Sequence, residues 1–333
     1  VEGTQVTGED ISGISSTSGT LQEAPLSEHA MDVSATVDST DLNVVKTIDD
    51  PTTETVSTGD IHYNPIDGDF ELAAAPSTSG TVDYVHHNTA SYKAAFEAVA
   101  EQRGETIDFL VPLQENLDVT QEALNQVSMM VNFYELAVAL CGLPPETTIQ
   151  QDITENTFDD SRLQLIFPAR NSDGESAMGA YSGRRSALGL QSSAMGKALS
   201  SQGRMYQRVS TQNEKDMVNN NIVPIRSSTG GARIVDDPTT VTSQNSQEAG
   251  MRQGFARLVM DRVINIVSES EKPFIGRMNR VETRNALQTI LQTKLEELLK
   301  SDSIEEYNVT VREKSAMAAQ VEVTADTTDP LRN

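Results

Sequence analysis

The chain has 333 residues, of which 37% are hydrophobic and 5% aromatic, and it contains no Trp. This length predicts two or three domains, and the low aromatic content favours several small cores over one large core. The formal net charge of −24 argues against a nucleic-acid partner, because phosphate backbones are bound by basic surfaces. No apolar run reaches about 18 residues, so neither a transmembrane helix nor direct membrane insertion is predicted.

The charge is distributed unevenly along the chain. Residues 1–90 contain sixteen Asp and Glu against one Lys or Arg, Lys46, whereas residues 251–313 contain ten Asp and Glu and ten Lys and Arg. Such sorting is typical of an assembly with an acidic exterior and a neutral interior that makes contacts, although mobile acidic loops would give the same counts. The overall surplus of acid favours a halophilic origin over an ordinary acidic protein, because salt screens the repulsion between carboxylates.

The first 88 residues predict β structure. Residues 1–43, rich in Ser, Thr, Gly, Asp and Glu, predict an acidic N-terminal arm with short strands near 32–37. Residues 44–88 predict a small β-module, because short strand patterns end at turn signals such as Asp67-Gly68.

Residues 89–245 predict an α/β middle domain. Its expected helices are 91–103, 120–132 and the end of another at 214–219. Residues 171–205, rich in small residues, are interpreted as a segment for close packing, with a flexible loop and one short helix near 193–200 as the alternative. Its expected strands are 107–111, 134–140, 162–167, 222–226 and 231–235. The run 134–140 is also compatible with a continued helix, but the strand is favoured because another strand follows a polar linker.

Residues 246–333 predict a C-terminal domain with two long helices followed by strands. One apolar stripe runs from Phe255 to Val267 at helical spacing, and a second from Val281 to Leu299. Pro273 and Gly276 interrupt the pattern between them. The alternating segments 307–311 and 320–323 predict strands, and 327–333 predicts an extended tail.

The break between these helices carries a set of motif residues. They are Phe274-Ile275-Gly276-Arg277-Met278-Asn279, Arg284, Leu295-Glu296-Glu297-Leu298-Leu299 and Ile304-Glu305-Glu306-Tyr307. This motif, in the order helix, break, helix, strand, resembles the C-terminal domain of contractile phage-tail sheath proteins. Blocks at 44–84, 92–113 and 221–240 occur in the order that such a protein needs.

The resemblance implies an α+β, multidomain fold with a β-rich N-terminal part, an α/β middle domain and a C-terminal α+β sheath domain. It implies a structural subunit with no catalysis, cofactor or metal. Copies would polymerise as a helical tube around a tail tube and contract to drive that tube through the host envelope. Implied partners are other copies, the tail tube protein, and baseplate and tail terminator proteins.

The implied location is a virion tail sheath that is assembled in the host cytoplasm. Together with the acidic composition, the resemblance implies a virus of a halophilic archaeon that uses its tail for genome ejection. The sheath of a non-viral contractile injection system is an open alternative within the same class.

Two surfaces follow from the resemblance. Arg277, Arg280 and Arg284 are spaced to share one face of a helix that begins near Arg277, and this face is expected to contact an acidic tail tube. A solvated face with Glu282 as local partner is the competing interpretation. Family members add extended terminal arms to the sheets of neighbouring subunits, and this role is expected of Gln320, Val321, Glu322, Val323 and Leu331.

Other candidate sites give weaker patterns. His86-His87 with Asp83 invites a metal site or a halophilic hydrolase, but adjacent strand residues point to opposite faces. Cys141 lies in an apolar run, which predicts a buried structural thiol. The segment 228–231, Ser-Thr-Gly-Gly, is interpreted as a turn between two strands and not as a phosphate cradle.

Overall fold

The computed structural model describes residues 4–14, 17–22, 33–46, 55–63, 69–86, 89–101, 107–133, 135–143, 158–190, 192–242, 248–315 and 318–327. Within these residues the chain forms one seven-stranded, one six-stranded and one two-stranded sheet. The predicted α+β, multidomain fold is confirmed. No described helix combines the length and the apolar composition that a membrane crossing requires.

The N-terminal part is a seven-stranded sheet. Its strands are β1 (Thr4–Asp10), β2 (Ser18–Thr20), β3 (Ser34–Val37), β4 (Thr40–Lys46), β5 (Asp60–Tyr63), β6 (Asp69–Leu72) and β7 (Gly80–His86). They lie in the order β1-β7-β3-β4-β5-β6-β2, and the pair β4–β5 is parallel while the other pairs are antiparallel. We call this sheet and its core the β domain.

The β domain has no boundary at the predicted position between residues 43 and 44. Strand β4 crosses the predicted boundary between residues 43 and 44, and strands from both sides of that boundary hydrogen-bond into one sheet. The description of residues 1–43 as an arm separate from a β-module at 44–88 is therefore corrected. The physical reason is that neither set of short strands has enough apolar residues alone, whereas together they bury one shared core.

The middle domain follows directly after β7. Its elements are α1 (Thr89–Ala100), β8 (Phe109–Leu110), α2 (Leu117–Val131), β9 (Val138–Gly142), β10 (Leu163–Phe167), α3 (Ala177–Ser186), β11 (Ala198–Leu199), α4 (Thr211–Asn219), β12 (Ile222–Ser228) and β13 (Gly231–Ile234). The sheet order is β11-β13-β12-β10-β9-β8. Strands β8, β9, β10 and β12 are parallel, and β13 and β11 extend the sheet antiparallel.

Both faces of this sheet are covered. Helices α1, α2 and α4 pack on one apolar cluster, and α3 packs on the other. The prediction of a strand within 134–140 is confirmed by β9, which extends to Gly142. The alternative of a short helix near 193–200 is wrong, because Ala198 and Leu199 pair with β13. The helix of this segment is α3, which lies earlier and is capped by Ser176. Strand pairing thus overrides a local preference for helix.

The C-terminal domain contains α5 (Gly254–Glu271), α6 (Val281–Lys300), β14 (Ile304–Ser315) and β15 (Ala318–Thr327). A 3-10 turn at Lys272–Phe274 and Gly276, at φ 81°, separate the two helices. Apolar residues of both helices and both strands form one core. Helix α5 also contacts the middle domain, because Leu258 packs against the cluster that contains α3.

Candidate assembly surfaces

The turn between α5 and α6 holds two of the three arginines predicted to contact a tail tube. Arg280 is the residue before α6 and has extended backbone angles, φ −102° and ψ 161°. Arg277 lies earlier still, next to Gly276. The prediction that Arg277, Arg280 and Arg284 share one helix face is therefore wrong, since only Arg284 is on the helix.

The three arginines have different surroundings. Arg277 is exposed and its guanidinium lies 5.2 Å from the centre of the Phe274 ring, which is cation–π distance. Arg280 is also exposed. The side chain of Arg284 is only 13% exposed and lies 3.4 Å from Glu313. Glu313, from β14, is thus its acidic partner, and not Glu282.

Large apolar side chains accompany the two exposed arginines. Ile275 is 79% exposed, Met278 71% and Val281 56%. Their exposure at one turn makes a compact surface that is both apolar and cationic, as is common at contacts between proteins. We call residues 275–281 the tip.

The segment expected to link subunits pairs within its own chain. Gln320, Val321, Glu322 and Val323 belong to β15 and lie opposite residues 309–312 of β14. The resulting hairpin is a two-stranded sheet, and every residue of β15 is exposed or half-buried. Within the described residues its outer edges pair with no other strand. Leu331 lies outside the described residues.

Asn279 connects the tip to the end of this hairpin. Its Nδ2 donates to the backbone oxygens of Ser315, at 2.7 Å, and Ala318, at 2.9 Å. Arg284 Nη1 donates to Asn279 Oδ1 at 2.8 Å and so fixes the amide. These two motif residues therefore position the hairpin relative to the helices, a role that the motif alone does not reveal.

A buried ion cluster joins α5 to the middle domain. Arg162 donates to both oxygens of Asp261, with Nη2–Oδ1 at 2.8 Å and Nη1–Oδ2 at 3.1 Å. Arg257, one turn earlier on α5, donates to the same carboxylate. All three side chains are almost completely buried. Sequence reasoning missed the cluster, because Arg162 and Asp261 are 99 residues apart.

The sequence matches no protein-family model and no curated protein. Solved structures do match. The helical sheath of the anti-feeding prophage in its contracted state, from cryo-EM, is 14% identical, with a TM-score of 0.58 over 96% of this chain and 98% of that chain. The sheath tail protein of Desulfitobacterium hafniense is 13% identical, with a TM-score of 0.60 over 79% of this chain and 63% of that chain.

The chain has the contractile-sheath fold. A third match agrees: the contracted PVC sheath complex of an extracellular contractile injection system is 14% identical, with a TM-score of 0.54 over 74% of this chain and 73% of that chain. These matches thus confirm the resemblance to contractile-tail sheath proteins at the level of the fold.

Inside the sheath fold, Asp237 is a second buried charge that the sequence did not indicate. Its carboxylate accepts from Ser193 Oγ at 2.7 Å and from the backbone N–H of Ala194 at 3.1 Å. Burial raises the pKa of Asp237 to about 6, against the opposing effects of Ser193 and of Arg185. The carboxyl group holds the loop before β11 against the segment that leads into α5.

Gln164, on strand β10, connects the sheet to the same segment before α5. Its Nε2 donates to the backbone oxygens of Asp237 and Pro238 at 3.0 and 3.1 Å. Helix α5 begins directly above, where a Cβ on Gly254 would lie 2.4 Å from that Nε2. A larger residue at the start of α5 would displace the Gln164 amide from these two hydrogen bonds, so glycine allows the helix to approach the sheet.

The remaining candidate sites give no catalytic arrangement on the described residues. Burial raises the pKa of Cys141 to about 12, so its thiol stays protonated and unreactive at neutral pH. The described residues contain no group of three His, Cys, Asp or Glu side chains placed to hold a metal ion. The side chain of His86 and all of His87 lie outside the described residues. Ser228 and Gly231 pair at the β12–β13 turn, as predicted.

Proposed function

We propose that this chain is the subunit of a contractile sheath. Copies polymerise as a helical tube around a tail tube, and contraction of the sheath drives that tube through a host envelope. The match to a contracted helical sheath over nearly the whole length of both chains carries this proposal. The subunit is structural, with no catalysis and no cofactor, and it resides in the assembled particle.

The hairpin of β14 and β15 is the proposed link between subunits. The outer edges of this two-stranded sheet carry backbone groups that can accept further strands. Gln320, Val321, Glu322, Val323 and Leu331 are the residues proposed to link copies, by adding a strand to a neighbouring copy's sheet through β-augmentation. Linked copies then rotate during contraction without dissociating.

The tip is the proposed contact with the tail tube. Arg277 and Arg280 supply positive charge, and Ile275, Met278 and Val281 supply apolar area. The tube surface opposite is expected to be acidic with apolar patches. Arg284 is excluded from this contact because it is paired and mostly buried.

Two kinds of particle are compatible with the subunit. A tailed virus of a halophilic archaeon, assembled in the host cytoplasm and ejecting its genome through the tail, accounts for the net charge of −24. A non-viral injection system is the second candidate, because the anti-feeding prophage sheath and an extracellular contractile injection system are among the matches. Baseplate and tail terminator proteins are the expected partners in both.

Negative-stain electron microscopy of the purified chain, over a series of salt concentrations, tests the proposal. Striated tubes or stacked rings of uniform width are the expected result. Compact dispersed particles at every salt concentration would contradict it and would favour an enzyme such as a halophilic hydrolase.

Two variants test the proposed surfaces. Truncation after Thr327 is expected to abolish tubes without changing the thermal melt, because the arm contributes to the neighbour and not to its own core. The double change Arg277→Glu and Arg280→Glu is expected to leave tubes intact but to abolish binding of the tail tube protein. Lys300→Glu, at the opposite end of α6, is the control for charge reversal and should bind the tube normally.

A further inference from the structure

One face of the β domain is acidic. The sheet register places five carboxylates on the same side, opposite to the core: Asp41, Asp60, Asp69, Glu71 and Asp83. The intervening residues, such as Ile61, Phe70 and Val82, are buried in the core. We call these five residues the acidic face.

Neutral groups donate hydrogen bonds to these carboxylates. Thr36 Oγ1 donates to Asp41 at 2.9 Å, and Asn43 Nδ2 donates to Asp60 at 3.1 Å. Threonine hydroxyls also donate to Asp69 and Glu71. A neutral donor orients a carboxylate without cancelling its charge; Lys46 is the only Lys or Arg in residues 1–90, and His62 lies on the same face, opposite Glu71. The acidic face is therefore a negative surface held in a fixed arrangement.

A positive surface lies around the β12–β13 hairpin of the middle domain. Arg226 of β12 and Arg233 of β13 are directly opposite each other, and both are exposed. Arg204 and Arg208 are also exposed and line an open groove together with Arg226 and the β12–β13 turn. We call these four residues the arginine surface.

Like charges directly opposite each other on neighbouring strands are unfavourable unless an anion compensates them. Glu214 provides part of the compensation, at 3.2 Å from Arg226. That carboxylate is one charge beside four guanidinium groups. In a chain with a net charge of −24, such a cluster is a local positive surface that is suited to an acidic partner.

We propose that the acidic face of one copy docks on the arginine surface of a neighbouring copy. The inference rests on the proposed sheath function and names a contact within it. The two surfaces are different parts of the same chain, so the contact is head-to-tail, and such contacts generate rings or open helices. Planar guanidinium groups form bidentate pairs with carboxylates, and a face of ordered carboxylates is suited to such pairs.

Two charge-reversed variants test the contact. The first carries Arg226→Glu and Arg233→Glu, and the second carries Asp41→Lys and Asp60→Lys. Each alone places like charges across the contact, which should raise the critical concentration for assembly at least about tenfold. Mixed in equal amounts, the variants present opposite charges to each other at every contact, and tubes should reappear.

The control variant carries Lys294→Glu and Lys300→Glu on α6, with the same change in net charge as the first variant, and should assemble like the parent. Circular dichroism melts verify that each variant folds, and mixing cannot rescue a chain that does not fold. Assembly by each variant alone, or no rescue by mixing when both are folded, would overturn the contact while the parent still forms tubes. A parent chain that forms no tubes would overturn the sheath function as well.

Salt provides an independent measurement on the same samples. Raising ionic strength from about 0.1 M to 1 M shortens the Debye length from about 10 Å to 3 Å. The difference in critical concentration between each variant and the parent should therefore shrink. An unchanged difference would overturn the electrostatic basis of the contact.

Discussion

The sheets of the middle domain and of the β domain differ in how their strands are buried. Strands β9 and β10 are buried at every position, whereas β5 and β6 alternate between buried and half-buried residues. Helices cover both faces of the first sheet, whereas the described residues form a core on only one face of the second sheet. The first pattern is typical of parallel strands inside an α/β layer, and the second of a sheet with one face in solvent.

This difference decides what a carboxylate does in each region. A carboxylate beside the middle sheet has lost its water and must find charged or N–H partners inside the chain, as Asp261 and Asp237 do. A carboxylate on the open face of the β domain keeps its water and needs only a neutral donor. Buried charge therefore joins segments within one chain, while exposed charge is available for other copies.

The largest expected effect is on the buried ion cluster. Asp261→Ala leaves Arg162 and Arg257 buried without their shared carboxylate, which should cost about 3–5 kcal/mol of unfolding free energy. Chemical denaturation of the unassembled chain measures this. The matched control is Glu322→Ala, which removes the exposed partner of Arg312 and should cost at most about 1 kcal/mol. Equal losses in the two variants would contradict the distinction between the two regions.

Asp237 should give the middle domain a dependence on pH. Its folded pKa of about 6 lies above the ordinary value of 3.8, so the unfolded chain loses this proton first as pH rises. The contribution of Asp237 to stability should fall between pH 4 and 6, by about 3 kcal/mol in total. Asp237→Asn removes this loss.

The stability of the Asp237→Asn variant relative to the parent should therefore rise with pH over this interval, as measured by urea denaturation at several pH values. Arg185 and Asp236 also affect the pKa of the Asp237 carboxyl group, so the two proteins are compared in one buffer series. A constant difference between the two proteins would contradict the raised pKa.

A smaller effect is expected at the junction between the tip and the hairpin. Asn279→Ala removes the donors to Ser315 and Ala318 and the acceptor for Arg284, which should cost about 1–2 kcal/mol because three hydrogen bonds near the surface are lost. Hydrogen exchange should show faster opening of β14 and β15 than in the parent. Asn285→Ala, on the exposed side of α6, is the control and should leave the exchange of the hairpin unchanged.

Asp38, in the β domain, should respond to pH in the opposite direction from Asp237. Backbone and hydroxyl donors of Ser77, Thr78 and Ser79 hold the pKa of Asp38 well below its ordinary value. Its contribution to stability is present above the unfolded pKa, near 4, and is lost as pH falls below it.

Asp38→Asn should accelerate hydrogen exchange at residues 77–79 at pH 7 and should have less effect in acid. Asp38 is half-buried at the surface and still in contact with water, so we expect this effect to be the smallest of the four. An effect that grew on acidification would show that the exposed and buried carboxylates do not differ as described.

The sequence alone determined the elements whose signals are local and long. The apolar stripes predict α5 and α6, and Pro273 with Gly276 predicts the break between them, because helical periodicity and backbone restrictions need no distant partner. The same holds for β10 and for the β12–β13 turn. The motif around Asn279 also sufficed to identify the sheath resemblance.

Tertiary structure decided the features that depend on contacts between distant residues. Residues 198–199 became a strand because β13 was available to pair with them, and residues 1–43 joined the sheet of residues 44–88 because the two share one core. The start of α6 at Val281 separated Arg277 and Arg280 from Arg284. Pairing between Arg162 and Asp261 needs the packing of α5 on the sheet, and no spacing in the sequence encodes a contact that only the folded chain creates.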